Sequence, residues 1–277
     1  MHITRGRHWD SGAEPVPLLE DAAIGRGFVY VPPGPFVYGG DDKAPRALPR
    51  AEPWLEGFVI AELPPTMAEY CEFINELHAD DPEKAWSHVP RVGSGLSFTK
   101  GQYWERPGPG ERYVLPERDK DGDQWRADWP ALGVSWHDAQ AYAAWRGRRD
   151  GVACTLPTEA QWEKAARGVD GRAYPWGNAF DPALCCTGEK RLARAAPEPA
   201  GTYRHDRSVY GMRDVVGSAR EWTADLARGE DGADMSTVRG GSWSSSAIHH
   251  RIAYRYTFVA WGADMNYSFR VVRALGK

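Results

Sequence analysis

Trp129-Pro130-Ala131-Leu132-Gly133-Val134-Ser135-Trp136-His137-Asp138-Ala139, followed by Leu156-Pro157-Thr158-Glu159-Ala160-Gln161-Trp162-Glu163-Lys164-Ala165-Ala166-Arg167-Gly168, decides how this chain folds. In each stretch a proline-bearing lead runs into a capping box. Ser135 with Asp138, and Thr158 with Gln161, stand three residues apart, where each pair satisfies orphan backbone donors of a first helical turn. Behind the boxes, Ala139, Tyr142, Ala143 and Trp145, then Trp162, Ala165 and Ala166, recur at helical spacing, and Gly168 reads as a C-cap. Thr66-Met67-Ala68-Glu69 repeats the device ahead of Tyr70, Cys71, Ile74 and Leu77, which predicts a third helix ending near His78.

Outward from these helices the pattern is extended and irregular. Gly27-Phe28-Val29-Tyr30-Val31 and Pro35-Phe36-Val37-Tyr38 are expected to pair through Pro32-Pro33-Gly34, and residues 54–62 supply another strand. Residues 91–128 are rich in Gly, Pro and charge and read as surface loops, with one hairpin through Tyr103-Trp104 and Tyr113-Val114-Leu115. The domain is expected to occupy residues 24–277, with 1–23 a polar linker or frayed segment holding one short extended candidate around His2–Thr4. Thirteen Trp, 12 Tyr, 30 Gly and 21 Pro in 277 residues predict a core of rings held by irregular loops.

Thirty-four basic against 38 acidic residues, a net charge of −4 and no sustained basic run argue against nucleic acid as a partner. Apolar runs are far shorter than the roughly 20 residues that span a bilayer, and residues 1–5 lack the apolar stretch of a secretory signal, so no membrane association and a cytoplasmic location are expected. Cys71, Cys154, Cys185 and Cys186 show neither a disulfide framework nor paired zinc spacing and read as buried reduced thiols.

The two opening stretches, with Tyr174-Pro175-Trp176-Gly177, the block Tyr210-Gly211-Met212-Arg213-Asp214-Val215-Val216-Gly217-Ser218-Ala219-Arg220-Glu221-Trp222-Thr223, Val238-Arg239-Gly240-Gly241-Ser242-Trp243 and Phe269-Arg270-Val271-Val272, resemble the formylglycine-generating enzyme (sulfatase-modifying factor) family. The resemblance implies an α+β chain with an elaborated C-type-lectin-like fold, short antiparallel sheets, few helices and much irregular loop. Function does not follow from it, because this fold serves formylglycine-making oxidases, sulfoxide synthases, kinase-appended domains and the variable proteins of diversity-generating retroelements.

Each use implies different residues. The oxidases bind copper through two cysteine thiolates a few residues past the Gly-Gly-Ser block. Here no cysteine follows Cys186; Ser244, Ser245, Ser246, His249 and His250 occupy that neighbourhood. The sulfoxide synthases take iron-binding histidines from a helical bundle whose pattern is absent, which leaves only a cryptic site such as His249 or His250 with His137 and a carboxylate. The family also implies one structural calcium ion, bound by the side chain of Asp214, the carbonyls of Gly217 and Ala219 and the carboxylate of Glu221. Two carboxylates plus carbonyls suit that hard ion. A second family calcium site, near Cys185-Cys186, lacks its expected Asn and is not predicted.

Between Trp243 and Phe269 the chain crowds rings with small polar residues, the composition of a recognition surface. Ser244, Ser245, Ser246, Ile248, His249, Tyr254, Tyr256, Thr257, Phe258, Trp261 and Asn266 are the candidate ligand-binding residues, for a protein or other ligand; Trp243, Arg251, Arg255 and Phe269 read as scaffold. The segment's limits resemble the variable region of retroelement-diversified proteins. Residues 5–10 and 28–32 resemble the entry into kinase-appended versions, which implies a kinase or other domain upstream. The expected function is a non-catalytic binding module, and the alternative is a metal-dependent oxidoreductase of the same superfamily.

Overall fold

The computed structural model describes residues 19–92, 101–119, 122–190 and 195–275. In chain order, α1 (Asp21–Ile24), β1 (Phe28–Val31), β2 (Gly34–Pro35), β3 (Trp54–Leu55), β4 (Phe58–Ala61), α2 (Met67–Asp80), α3 (Pro82–Ser87), β5 (Arg91–Val92) and β6 (Gly101–Gln102) lead to α4 (Trp136–Asp150). Then come β7 (Cys154–Thr155), α5 (Glu159–Arg167), β8 (Arg220–Arg228), β9 (Asp234–Arg239), a 3₁₀ turn at Ala247–His250, β10 (Arg255–Val259), β11 (Tyr267–Phe269) and β12 (Val272–Arg273).

The three capping boxes form as read: Thr66, Ser135 and Thr158 each accept from the amide three residues on, while Glu69, Asp138 and Gln161 reach back. The strand reading needs correction. β1 pairs antiparallel with β4, Phe28 opposite Ala61 and Val31 opposite Phe58, rather than with residues 35–38. Gly34, at φ 137°, directs the chain away, so Gly34–Pro35 pairs with Trp54–Leu55, and Tyr38 makes an isolated antiparallel bridge to Ala51. Tyr103 and Trp104 form no hairpin with residues 113–115. Instead β5 pairs with β6, and Trp104 and Tyr113 meet as buried rings 6.4 Å apart. Side-chain packing, not a ladder, joins those segments. The short extended candidate at His2–Thr4 lies outside the described residues.

Two four-stranded sheets carry the fold, ordered β1-β4-β12-β7 and β10-β9-β8-β11. β12 lies between β4 and β7, so the last residues of the domain lock its first sheet. β11 runs parallel to β8, Tyr267 opposite Arg220 and Phe269 opposite Trp222. Against these strands α2 and α4 build the aromatic core: Tyr70 stacks on Tyr142 at 5.9 Å, and Tyr142 meets Phe269 edge-on at 5.1 Å.

α5 is tied to the second sheet by charge. Glu163 accepts from Arg167 at 2.8 Å and from Arg239, while Glu159 takes Arg239 at 3.2 Å and Arg255 through both oxygens. Arg239 is fully buried, a position an arginine holds only when paired. This network fixes where β9 ends and β10 begins, and so both limits of the segment between them. Among the described residues no helix is long and apolar enough to cross a membrane.

Candidate functional site

β9 leaves the sheet through Gly240-Gly241, and a side chain is excluded there. A Cβ on Gly240, at φ +79°, would lie 2.8 Å from the Val215 carbonyl oxygen, and one on Gly241 would lie 2.4 Å from that of Val216. The close approach seats residues 242–250 against the loop 214–219. Ser242 Oγ meets Ser245 Oγ at 2.8 Å, Ser245 Oγ also accepts from Ser242 N at 3.1 Å, and Arg220 Nη2 donates to it at 3.2 Å. Trp243 Nε1 donates to the Met265 carbonyl at 2.8 Å, and Ser244 Oγ donates to Asn266 Oδ1. Residues separated by some twenty positions thereby share one face.

Along the segment Ser244, Ser246, Ile248, Thr257 and Trp261 are exposed, His249, Tyr256, Phe258 and Asn266 are half-buried, and Ser245 and Tyr254 are buried; Thr257, between Tyr256 and Phe258 in β10, points to the opposite side of the strand from those two rings. Ile248 and Trp261 each expose 48% of their surface. Tyr254, 4% exposed, packs on Ala44 and Ala253 and takes the edge of His249 at 4.9 Å. Tyr256 stacks towards Phe258 at 6.1 Å, and Phe258 meets Tyr267 edge-on at 5.1 Å. The scaffold residues sit as read: Arg255 on Glu159, Arg251 on Asp41 at 2.8 Å, Phe269 fully buried.

The imidazole of His250 is fully buried against Phe180, with Nδ1 facing the Val216 carbonyl and Nε2 3.3 Å from the Ser245 carbonyl. Burial pushes its pKa down, opposed by the two carbonyls that it faces. Both nitrogens are turned to backbone oxygens rather than to an open site. His137 packs beside Trp136 at the start of α4, and among the described residues no three of His, Cys, Asp and Glu come together as a metal site. The histidine-carboxylate set named from sequence is not assembled.

The calcium residues form a tight loop. Asp214 and Ser218 hold φ 52° and 68°, a left-handed conformation costly for non-glycine residues. Asp206, 1% exposed, accepts from the amides of Val215, Val216 and Gly217. Asp214 Oδ2 accepts from Gly201 N at 2.7 Å. Burial and the neighbouring Asp214 push the Asp206 carboxyl up to about 7, and burial pushes Asp214 up to about 6. Glu221, 1% exposed, accepts from Arg270 through both oxygens and from Trp162 Nε1 at 2.7 Å. Of the two carboxylates named for calcium, Asp214 forms no ion pair among the described residues and Glu221 is paired with Arg270, so these side chains with the carbonyls of the strained turn fit a hard cation only if Glu221 serves both. Glu221 would be shared between such an ion and Arg270.

Arg220 escaped the sequence reading. Its guanidinium lies over the rings of Tyr254, at 5.7 Å, and Tyr256, at 5.5 Å, with Nε buried and without a hydrogen-bond partner. Arg46 approaches the Tyr256 ring too, at 5.1 Å. The available signal was an arginine beside Glu221 whose carboxylate is claimed by a different arginine, and only the fold reveals that claim.

Comparison with known proteins follows this geometry. The description "Sulfatase-modifying factor enzyme 1-like domain" matches residues 17–275. A mouse protein named "Inactive C-alpha-formylglycine-generating enzyme 2" is 31% identical over 272 residues, covering 90% of this chain and 86% of that one. The "Hercynine oxygenase" of Mycolicibacterium smegmatis is 32% identical over 250 residues, covering 78% of this chain and 54% of its own. Among solved structures, PvdO from Pseudomonas aeruginosa aligns at TM-score 0.65 and 20% identity over 95% of this chain and 99% of its own. Treponema denticola variable protein 1 aligns at TM-score 0.60 and 16% identity over 89% and 94%. These neighbours share the elaborated C-type-lectin-like fold expected from the sequence blocks. With the match running across nearly the whole length, the chain belongs to the sulfatase-modifying factor family.

Proposed function

We propose that this chain is a non-catalytic binding module whose recognition surface is the face built by residues 244–266. The observation that carries the reading is the contrast along that segment. Arg251, Arg255, Phe269 and the glycine pair are locked into the framework, while Ser244, Ser246, Ile248, Thr257 and Trp261 project from it. A rigid frame presenting adaptable residues and an exposed indole is how recognition surfaces limit ordering cost. The mouse relative named as inactive and the variable protein of the same fold support the reading. So does the replacement of the implied copper thiolates by serines and histidines, with His250 turned to backbone carbonyls.

In this reading calcium is structural. Asp214, the carbonyls of Gly217 and Ala219, and Glu221 would hold it, and when bound it would supply positive charge to the buried carboxylates beneath Arg220.

A metal-dependent oxidoreductase is the competing reading, favoured by the relatives named as oxygenase and formylglycine-generating enzyme. A two-part experiment tests the choice. First, the protein is supplied with copper, oxygen and a cysteine-containing sulfatase peptide, and aldehyde formation is followed by mass spectrometry; none is expected. Second, a displayed library randomised at Ser244, Ser246, Ile248, Thr257 and Trp261 is scored for folding and selected against a protein target. Folded members and recovered binders are the expected result. Aldehyde formation, or a library that is mostly unfolded, would overturn the binding reading.

A further inference from the structure

Most arginines on this face have a carboxylate. Arg239 pairs with Glu163 and Glu159, Arg251 with Asp41, Arg255 with Glu159 and Arg270 with Glu221. Arg220 and Arg46 form no ion pair among the described residues. They meet at one ring, with both guanidinium carbons within 5.5 Å of the Tyr256 centroid.

Arg220 is half-buried, so its missing counter-ion is a cost that burial imposes and that ring contacts offset only in part. Its neighbours are neutral donors and acceptors: Ser245 Oγ at 3.2 Å, the ring of Tyr254, and the Tyr267 hydroxyl. The carboxylate felt at that hydroxyl is Asp264, whose Oδ1 is held by Asn266 and which forms no ion pair with Arg220 among the described residues. The field is felt nearby, since burial and then Arg220 push the His249 imidazole down. A guanidinium presents its donors as a planar fork, the geometry that matches two oxygens of one acid group.

Resting on the recognition surface argued above, we propose that Arg220 and Arg46, beside the Tyr256 ring, form an oxyanion site that takes a carboxylate or phosphate group of the ligand. Ser245 holds the Arg220 fork in place, and the exposed Ser244, Ser246 and Trp261 shape what the acid is attached to.

Two small acids, benzoate and phenyl phosphate, are the probes, each set against a neutral counterpart, benzamide or benzyl alcohol, in ligand-observed NMR titrations. Saturable binding of at least one acid is expected, with the neutral compounds weaker by tenfold or more. Arg220→Met and Arg46→Ala should each lose about tenfold, the loss typical of one charge-assisted contact. Arg46 is exposed, so its variant keeps the test open if Arg220→Met fails to fold. Preference between the probes tells carboxylate from phosphate. The site is refuted if neither acid binds below about 10 mM, if the neutral compounds bind equally well, or if both folded variants bind as wild type does. A protein that binds neither acid yet yields binders from the displayed library loses the oxyanion site alone. One whose library unfolds while the acids still bind loses the recognition surface alone.

Discussion

Replacing Tyr254 and, separately, Trp261 by alanine divides the segment into frame and surface through the sign of two readouts. Tyr254 is 4% exposed and carries the His249 edge, the Arg220 guanidinium and the small pocket of Ala44 and Ala253. Truncating a ring so enclosed leaves a cavity and should cost about 3–5 kcal/mol. Trp261 is 48% exposed, and an exposed position with no cap, charge or cavity behind it should change stability by about 1 kcal/mol or less. For a chain of this size each kcal/mol moves the melting midpoint by roughly 2–4 °C, so the first variant should melt roughly 6–20 °C below wild type and the second within a few degrees. Circular dichroism melts at fixed calcium measure both. Binders recovered from a library that keeps Trp261 fixed supply the second readout: Trp261→Ala should weaken them, because an exposed ring at the centre of an interface concentrates binding energy. A Tyr254→Ala variant that melts with wild type would refute the packing described for that ring. A Trp261→Ala variant as damaged as Tyr254→Ala would place the indole in the core and take away the surface's main anchor.

Calcium added in excess should raise the melting midpoint over chelator, by about 2.7 kcal/mol of stability at a hundred times Kd, and Asp214→Ala should abolish the difference; equal midpoints with and without chelator would reject the ion. Glu159→Gln should cost about 3–5 kcal/mol, since it leaves Arg239 and Arg255 buried with one partner fewer, and urea unfolding measures it. Burial pushes the Glu159 carboxyl up, but Arg255 and Arg239 outweigh it and hold the group below its usual 4.5. Its contribution is therefore present above pH 4.5 and lost as pH falls through the lower folded value. Lys164 gives a slope of the same sign in the alkaline range. Its ammonium donates to the Pro32 and Gly34 carbonyls, 2.8 Å each, and burial, opposed by Glu56, pushes it down to about 8 from 10.5. Between those values the unfolded chain holds the extra proton, so wild type should gain stability relative to Lys164→Met as pH rises from 8 to 10. A parallel pH dependence in the two proteins would contradict the shift.

The helices were legible because a capping box and a 3.6-residue period are local signals that need no partner. Thr66, Ser135 and Thr158 each name a helix start that the structure realises. The shorter α3 was missed because its start is a single Asp81 cap ahead of Pro82, with one buried residue, Ala85, and so no period to read. Strand pairing failed for a related reason. Phe28–Val31 is sequence-adjacent to residues 35–38 but finds Phe58–Ala61, and β12 arrives from the far end of the chain to pair with both β4 and β7. Two-residue strands have almost no period of their own, and long-range register is set by whichever buried face must be covered.

The site divides along the same line. The exposed small residues and Trp261 could be named from composition, since a crowded mixture of rings and serines between two framework blocks is itself the signal. What composition could not distinguish was Tyr254 from Trp261, two rings in one short run, because the difference lies in Ala44 and Ala253 closing over the first. Nor could it single out Arg220. Arginine beside glutamate reads as an ion pair, and Glu221 has one, but with Arg270, which β11 brings alongside β8 in parallel register. Once that partner is taken, the guanidinium next to it is left facing tyrosines and a serine. The charge that sequence alone would cancel is the charge the fold leaves for a ligand.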